Sequence, residues 1–118
     1  MIDFRVLQED IHENAVNKGW WDTPPSFAES LCLIHSEVSE ALEDFRRGHA
    51  VTETWGGETE DTEGYTAFKP CGIPSELADV VIRTMDLCEF YGIDLCSEIE
   101  RKHKYNKTRE YRHGGKKL

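Results

Sequence analysis

The chain has 118 residues, 38% of them hydrophobic and 31% charged, with a formal net charge of −9. That length suits one domain with a modest core, and no apolar run is long enough to span a bilayer. Eight of the 14 lysines and arginines fall in residues 101–118, which leaves an acidic body without the broad basic face that binding a nucleic-acid polymer requires.

Reading from the N-terminus, Met-Ile-Asp-Phe-Arg carries no basic-then-apolar leader pattern, so the expected location is cytoplasmic. Phe4, Leu7, Ile11 and Ala15 recur at helical spacing and predict a first helix from about Asp3 to Lys18, with Gly19 as its stop. Pro24 and Pro25 make Trp20–Pro25 a turn or extended link. Ser26, with Glu29 three residues on, reads as a capping box. It opens a second helix whose apolar stripe is Leu31, Ile34, Val38, Leu42 and Phe45, ending near Gly48.

Residues 48–73 change character, with five acids against one lysine and several glycines. They predict a loop or small insertion, in which Val51–Trp55 and Tyr65–Phe68 have the residue types of a short hairpin that would act as a flap. Pro74 and Ser75 open a third helix to about Tyr91, the most apolar of the set, with Leu77, Val80, Val81, Thr84 and Cys88 on one side. Gly92 breaks it. Asp94 caps a fourth helix with Leu95, Ile99 and His103 inward, fraying near Lys107 into a basic tail over 108–118. The fold class is therefore all-α, a single-domain four-helix bundle over 1–118 with antiparallel neighbours. Helices this short call for a second copy to complete the core, giving a homodimer or homotetramer. The four cysteines form no CxxC pair, which weighs against structural zinc. Cys32, Cys88 and Cys96 read as small buried hydrophobes kept reduced.

Helix 2 carries Glu37 and Glu40, and helix 3 carries Glu76 and Asp79. Each pair is spaced i,i+3, so both members lie on one face, flanking the apolar stripe. Facing helices would bring all four together. Clustered, partly desolvated carboxylates repel unless a cation joins them. An all-oxygen donor set without Cys or His favours magnesium, or manganese, over zinc. Arg83, one turn after Asp79, is placed either to pair with these acids or to face a phosphate.

ExxE on one helix and ExxD on the next, in a small all-α chain, resembles the MazG-like nucleotide pyrophosphohydrolases. These belong to the all-α NTP pyrophosphatase superfamily, together with dimeric dUTPases, dCTP pyrophosphatases and phosphoribosyl-ATP pyrophosphohydrolases. Gly19–Pro24 through Ser36–Leu42 looks most like the dCTP-pyrophosphatase and MazG-like branch. Lys104-Tyr105-Asn106-Lys107-Thr108-Arg109 resembles the lysine-asparagine-arginine segment after the last helix there. The chain departs from the pattern at Ser36, where many relatives carry an acid, and in the longer stretch between Glu40 and Glu76.

The resemblance implies that Glu37, Glu40, Glu76 and Asp79 bind magnesium, and that a nucleoside triphosphate is hydrolysed to the monophosphate and pyrophosphate. Glu40 or Glu37 would serve as proton acceptor. It also implies substrate contacts from His12, from Trp21 stacking on a base with Trp20 in the core, and from Lys104, Asn106 and Arg109. Two other readings fit the composition. Glu9/His12 and Glu100/His103 as ExxH pairs, with Glu37 and Glu76, match the ligand inventory of a di-iron bundle. Alternatively the acids are surface charge on a non-enzymatic helical interaction module.

Overall fold

The computed structural model describes residues 2–60 and 66–118. The elements run α1 Phe4–Asn17, α2 Phe27–Arg46, β1 Trp55–Glu60, β2 Thr66–Cys71, α3 Ile73–Phe90, α4 Leu95–Lys107 and a single turn, α5, Arg112–Gly115. No helix among the described residues is long and apolar enough to cross a membrane.

Local chemistry sets the boundaries. Asp3 caps α1 by accepting from Val6 N. Ser26 and Glu29 close the expected capping box on α2. Asp94 caps α4 by accepting from Ser97 N. After α1, Gly19 takes φ +85°, which lets its own N–H reach Val16 O and that of Trp20 reach Ala15 O, satisfying two terminal carbonyls. The same pair of bonds closes α2 at Gly48 and α3 at Gly92.

α3 is the central element: α1 and α2 both pack against it, and β2 leads into it. The buried apolar residues are few, namely Ala41, Ile73, Met85, Leu87 and Cys88. Gln8, fully buried, donates to Glu89 Oε2 at 2.9 Å and Ile93 O at 3.0 Å, fastening the end of α3 to α1.

Several expectations change. β1 starts at Trp55 and runs through Gly56 and Gly57, pairing antiparallel with β2 so that Trp55 faces Cys71 and Gly57 faces Lys69. Val51 and Thr52 form a turn instead of a strand, and Tyr65 lies outside the described residues. α4 buries none of its residues, and Ile99 and His103 are exposed. Its apolar positions are too few, among Glu98, Arg101, Lys102 and Lys104, to make a packing stripe, so a single chain is not a closed four-helix bundle. The tail does not simply fray, because Arg112 Nε donates to Lys116 O at 2.6 Å around the α5 turn. Of the cysteines only Cys88 is buried; Cys32 is exposed, and Cys71 and Cys96 are intermediate.

The largest change concerns α2. Its apolar stripe does not face α3. Leu31, Val38, Leu42 and Phe45 are all exposed, whereas Ser30, Glu37 and Ala41 are buried. Glu37 turns inward, and most of the apolar stripe, Ile34 excepted, is left uncovered. Leu77 and Val81 of α3 are also exposed.

Candidate metal and nucleotide site

The α2–α3 contact places three of the four predicted carboxylates together. Oxygen atoms of Glu37, Glu76 and Asp79 lie within 4.8 Å of one another. Glu37 is buried at 7% exposure, Glu76 and Asp79 are partly covered, and Glu40 is exposed at the rim, where it interacts with both Glu37 and Glu76. Glu76 sits in the first turn of α3, where the helix dipole favours negative charge.

The electrostatics are those of crowded acids. Burial, reinforced by Glu40 and Glu37, pushes Glu76 from its ordinary 4.5 up to about 7. Burial and the Glu37 charge raise Asp79, against the pull of Arg83 and Lys69. Burial also opposes ionisation of Glu37, but hydrogen bonding and charge from Arg83, with help from Glu40 and Glu76, outweigh it and hold Glu37 below its usual value. Arg83 Nε donates to Glu37 Oε1 at 2.6 Å, so of its two expected roles the ion pair is the one formed. The guanidinium remains 43% exposed, leaving other N–H groups available.

Beside this cluster is a cavity of roughly 550 Å³, within the usual span of small-molecule sites. Glu37, Asp79 and Arg83 form one part of its wall, and Asn14, Trp20 and Trp21 another. Trp21 is partly buried and stacks on Phe90 with ring centroids 4.0 Å apart, so one of its faces is taken. Trp20 is 73% exposed, not in the core as expected. The link Trp20–Pro25 bends directly after Gly19 and sends only one indole inward.

Asp86, which the ExxD pair alone does not reveal, organises this end. Its Oδ1 accepts from Trp21 Nε1 at 2.9 Å and lies 2.7 Å from His12 Nδ1. A signal for it exists: Asp79, Arg83 and Asp86 recur at i, i+4 and i+7, one continuous face of α3. His12 thus belongs to the site's supporting structure, held between α1 and α3.

Lys104, Asn106 and Arg109 do not line the cavity. They are exposed on α4 and just after it, and Arg109 lies over the Tyr105 ring at 5.8 Å. The di-iron inventory is not assembled either. Glu9 pairs with Arg5, His12 with Asp86, and His103 is exposed on α4. Among the described residues, Glu37, Glu76 and Asp79 are the group placed to hold a metal ion. Comparison with protein-family models, with curated proteins and with solved structures finds no match to this chain.

Proposed function

We propose that this chain is a magnesium-dependent nucleoside triphosphate pyrophosphohydrolase of MazG-like type, acting on a dNTP or a non-canonical NTP. The observation that carries the reading is the convergence of Glu37, Glu76 and Asp79 within 4.8 Å, two of which, Glu37 and Asp79, line a cavity that Trp20 and Trp21 also line. The donor set fits a hard divalent cation. It is all oxygen, and burial together with the neighbouring Glu40 and Glu37 already raises Glu76. Glu37, Glu76 and Asp79, with Glu40 at the rim, would hold magnesium or manganese. Such a cation, when bound, supplies neutralisation of the triphosphate and a more acidic water.

The protein's own groups account for the rest. The exposed indole of Trp20 and the part of Trp21 that lines the cavity offer surfaces for a base. Asp86 fixes the Trp21 edge and the His12 ring. The free N–H groups of Arg83 can take a phosphate oxygen. The Glu40 carboxylate accepts the proton of the attacking water. The α–β phosphoanhydride then breaks, giving the monophosphate and pyrophosphate.

The uncovered faces of α2 and α3 support assembly with a second copy, as a dimer or a tetramer. Such a partner is also the route by which Lys104, Asn106 and Arg109 would approach a triphosphate. A panel of canonical and modified NTPs and dNTPs, assayed with magnesium, tests the proposal. Pyrophosphate should appear from at least one of them with wild-type protein, and should fall by at least about a hundredfold, on the order of one lost catalytic contact, in Glu40→Gln and Asp79→Asn. Orthophosphate as the only product would refute it.

A further inference from the structure

Lys69 is the only lysine or arginine in residues 48–73, a segment that carries five acids. The hairpin that carries it joins directly onto the helix of Glu76 and Asp79. Only Gly72 separates β2 from α3. Ser75 Oγ donates to Pro70 O at 3.0 Å. A Cβ on Gly72 would stand 2.4 Å from Glu53 O, so the chain before β1 and the start of α3 are in direct contact. These contacts tie the position of β2 to that of Glu76. In the ladder Lys69 faces Gly57, so no cross-strand side chain covers it. Its stem is exposed, and its charge acts on Asp79.

The order along α3 gives the lysine a direction. The hairpin joins at the N-terminal end, followed by Glu76, Asp79, Arg83 and Asp86. Asp86, holding Trp21, lies about 10 Å further along the axis than Asp79 at 1.5 Å per residue. Indoles and lysine therefore stand at opposite ends of the carboxylates. A ligand with its base at Trp20 and Trp21 and its phosphates across Glu37, Glu76 and Asp79 has its terminal phosphates at the hairpin.

We infer that Lys69 is a phosphate-binding residue of the site, contributed by the hairpin, and that it grips the terminal phosphates of a polyphosphate chain. The assignment of that chain to a nucleotide rests on the pyrophosphohydrolase reading; the affinity for a metal-bound polyphosphate does not.

The test is calorimetric titration of the full-length protein with magnesium tripolyphosphate, an inorganic probe that needs no knowledge of the base. Lys69→Met should weaken binding by about tenfold, the scale of one charge-assisted contact, and Lys69→Arg should retain it. Manganese binding in the absence of phosphate should be no weaker in Lys69→Met, because removing a cation beside the acids does not disfavour another. Equal tripolyphosphate affinity in wild type and Lys69→Met would overturn the inference and reduce Lys69 to a counter-charge for Asp79. So would absence of binding by wild type, or manganese affinity lost in parallel. If Lys69→Met loses the probe while wild type cleaves no nucleotide, the pyrophosphohydrolase reading fails and the role of Lys69 stands.

Discussion

At the scale of single residues, the site is defined by acids that resist sharing a space. Glu76 takes up a proton in the folded chain at about 7, against 4.5 ordinarily. Between those values the folded form binds more protons than the unfolded one, so stability falls as pH rises through the window, and the penalty is complete above it. Glu37 has the opposite sign, since its lowered value gives stability that is present above its ordinary range and is lost as pH falls. In metal-free protein the Glu76 effect predicts that magnesium raises the melting temperature more at pH 8 than at pH 5.5. Glu76→Gln should abolish that difference while leaving the metal-free protein at least as stable at pH 8. Thermal melts of both proteins, with and without magnesium, read this directly. Arg83→Met removes the partner of a buried carboxylate. It should cost about 1–3 kcal/mol in denaturant unfolding at neutral pH, less as the pH is lowered towards protonation of Glu37. The acid pairs were legible in the sequence because their i,i+3 spacing is independent of how the helices rotate. Asp86 was legible only as a member of the Asp79–Arg83 face, because its bonds to Trp21 and His12 come from other elements, and Lys69 was not legible, because it lies on a strand seven or more residues from Glu76 and Asp79.

At the scale of elements, the capping residues and glycine stops were readable locally, and α1, α2, α3 and α4 begin and end close to where Asp3, Ser26, Asp94, Gly19, Gly48 and Gly92 place them. What periodicity could not settle is which face of α2 turns toward α3. Apolar stripe and carboxylate pair are neighbours on that helix, and the stripe alone suggests the inward face, yet Ser30, Glu37 and Ala41 are the buried residues. The joint between hairpin and α3 depends on Gly72, whose φ of +114° and contact with Glu53 O exclude any side chain. Gly72→Ala should destabilise the protein by about 2 kcal/mol or more. Because the displaced strand carries Lys69 and leads into Glu76, magnesium-induced stabilisation should drop as well, as a melt with and without the metal would show.

At the scale of the molecule, the chain is more open than a compact domain of its length. Its radius of gyration is 17.2 Å, with extents of 55 × 38 × 33 Å, whereas a compact domain of this length has roughly 13–14 Å. Neither α4 nor the hairpin packs broadly on the α1–α3–α2 core, and α2 keeps an uncovered apolar face that includes Leu42 and Phe45, 57% and 58% exposed. The second copy proposed above would cover that face. Leu42→Glu together with Phe45→Glu should shift the protein to a single-chain mass in light scattering, against a multiple of it for wild type.

The claim on which the rest depends is that the carboxylates of α2 and α3 direct water to the α–β bond of a nucleoside triphosphate. Phosphorus-31 NMR of a turned-over nucleotide, with magnesium and either wild-type or Asp79→Asn protein, tests it most directly. The account predicts monophosphate and pyrophosphate signals growing together at equal rates in wild type and neither in the variant. A diphosphate with orthophosphate, or products that form equally well with Asp79→Asn, would contradict it.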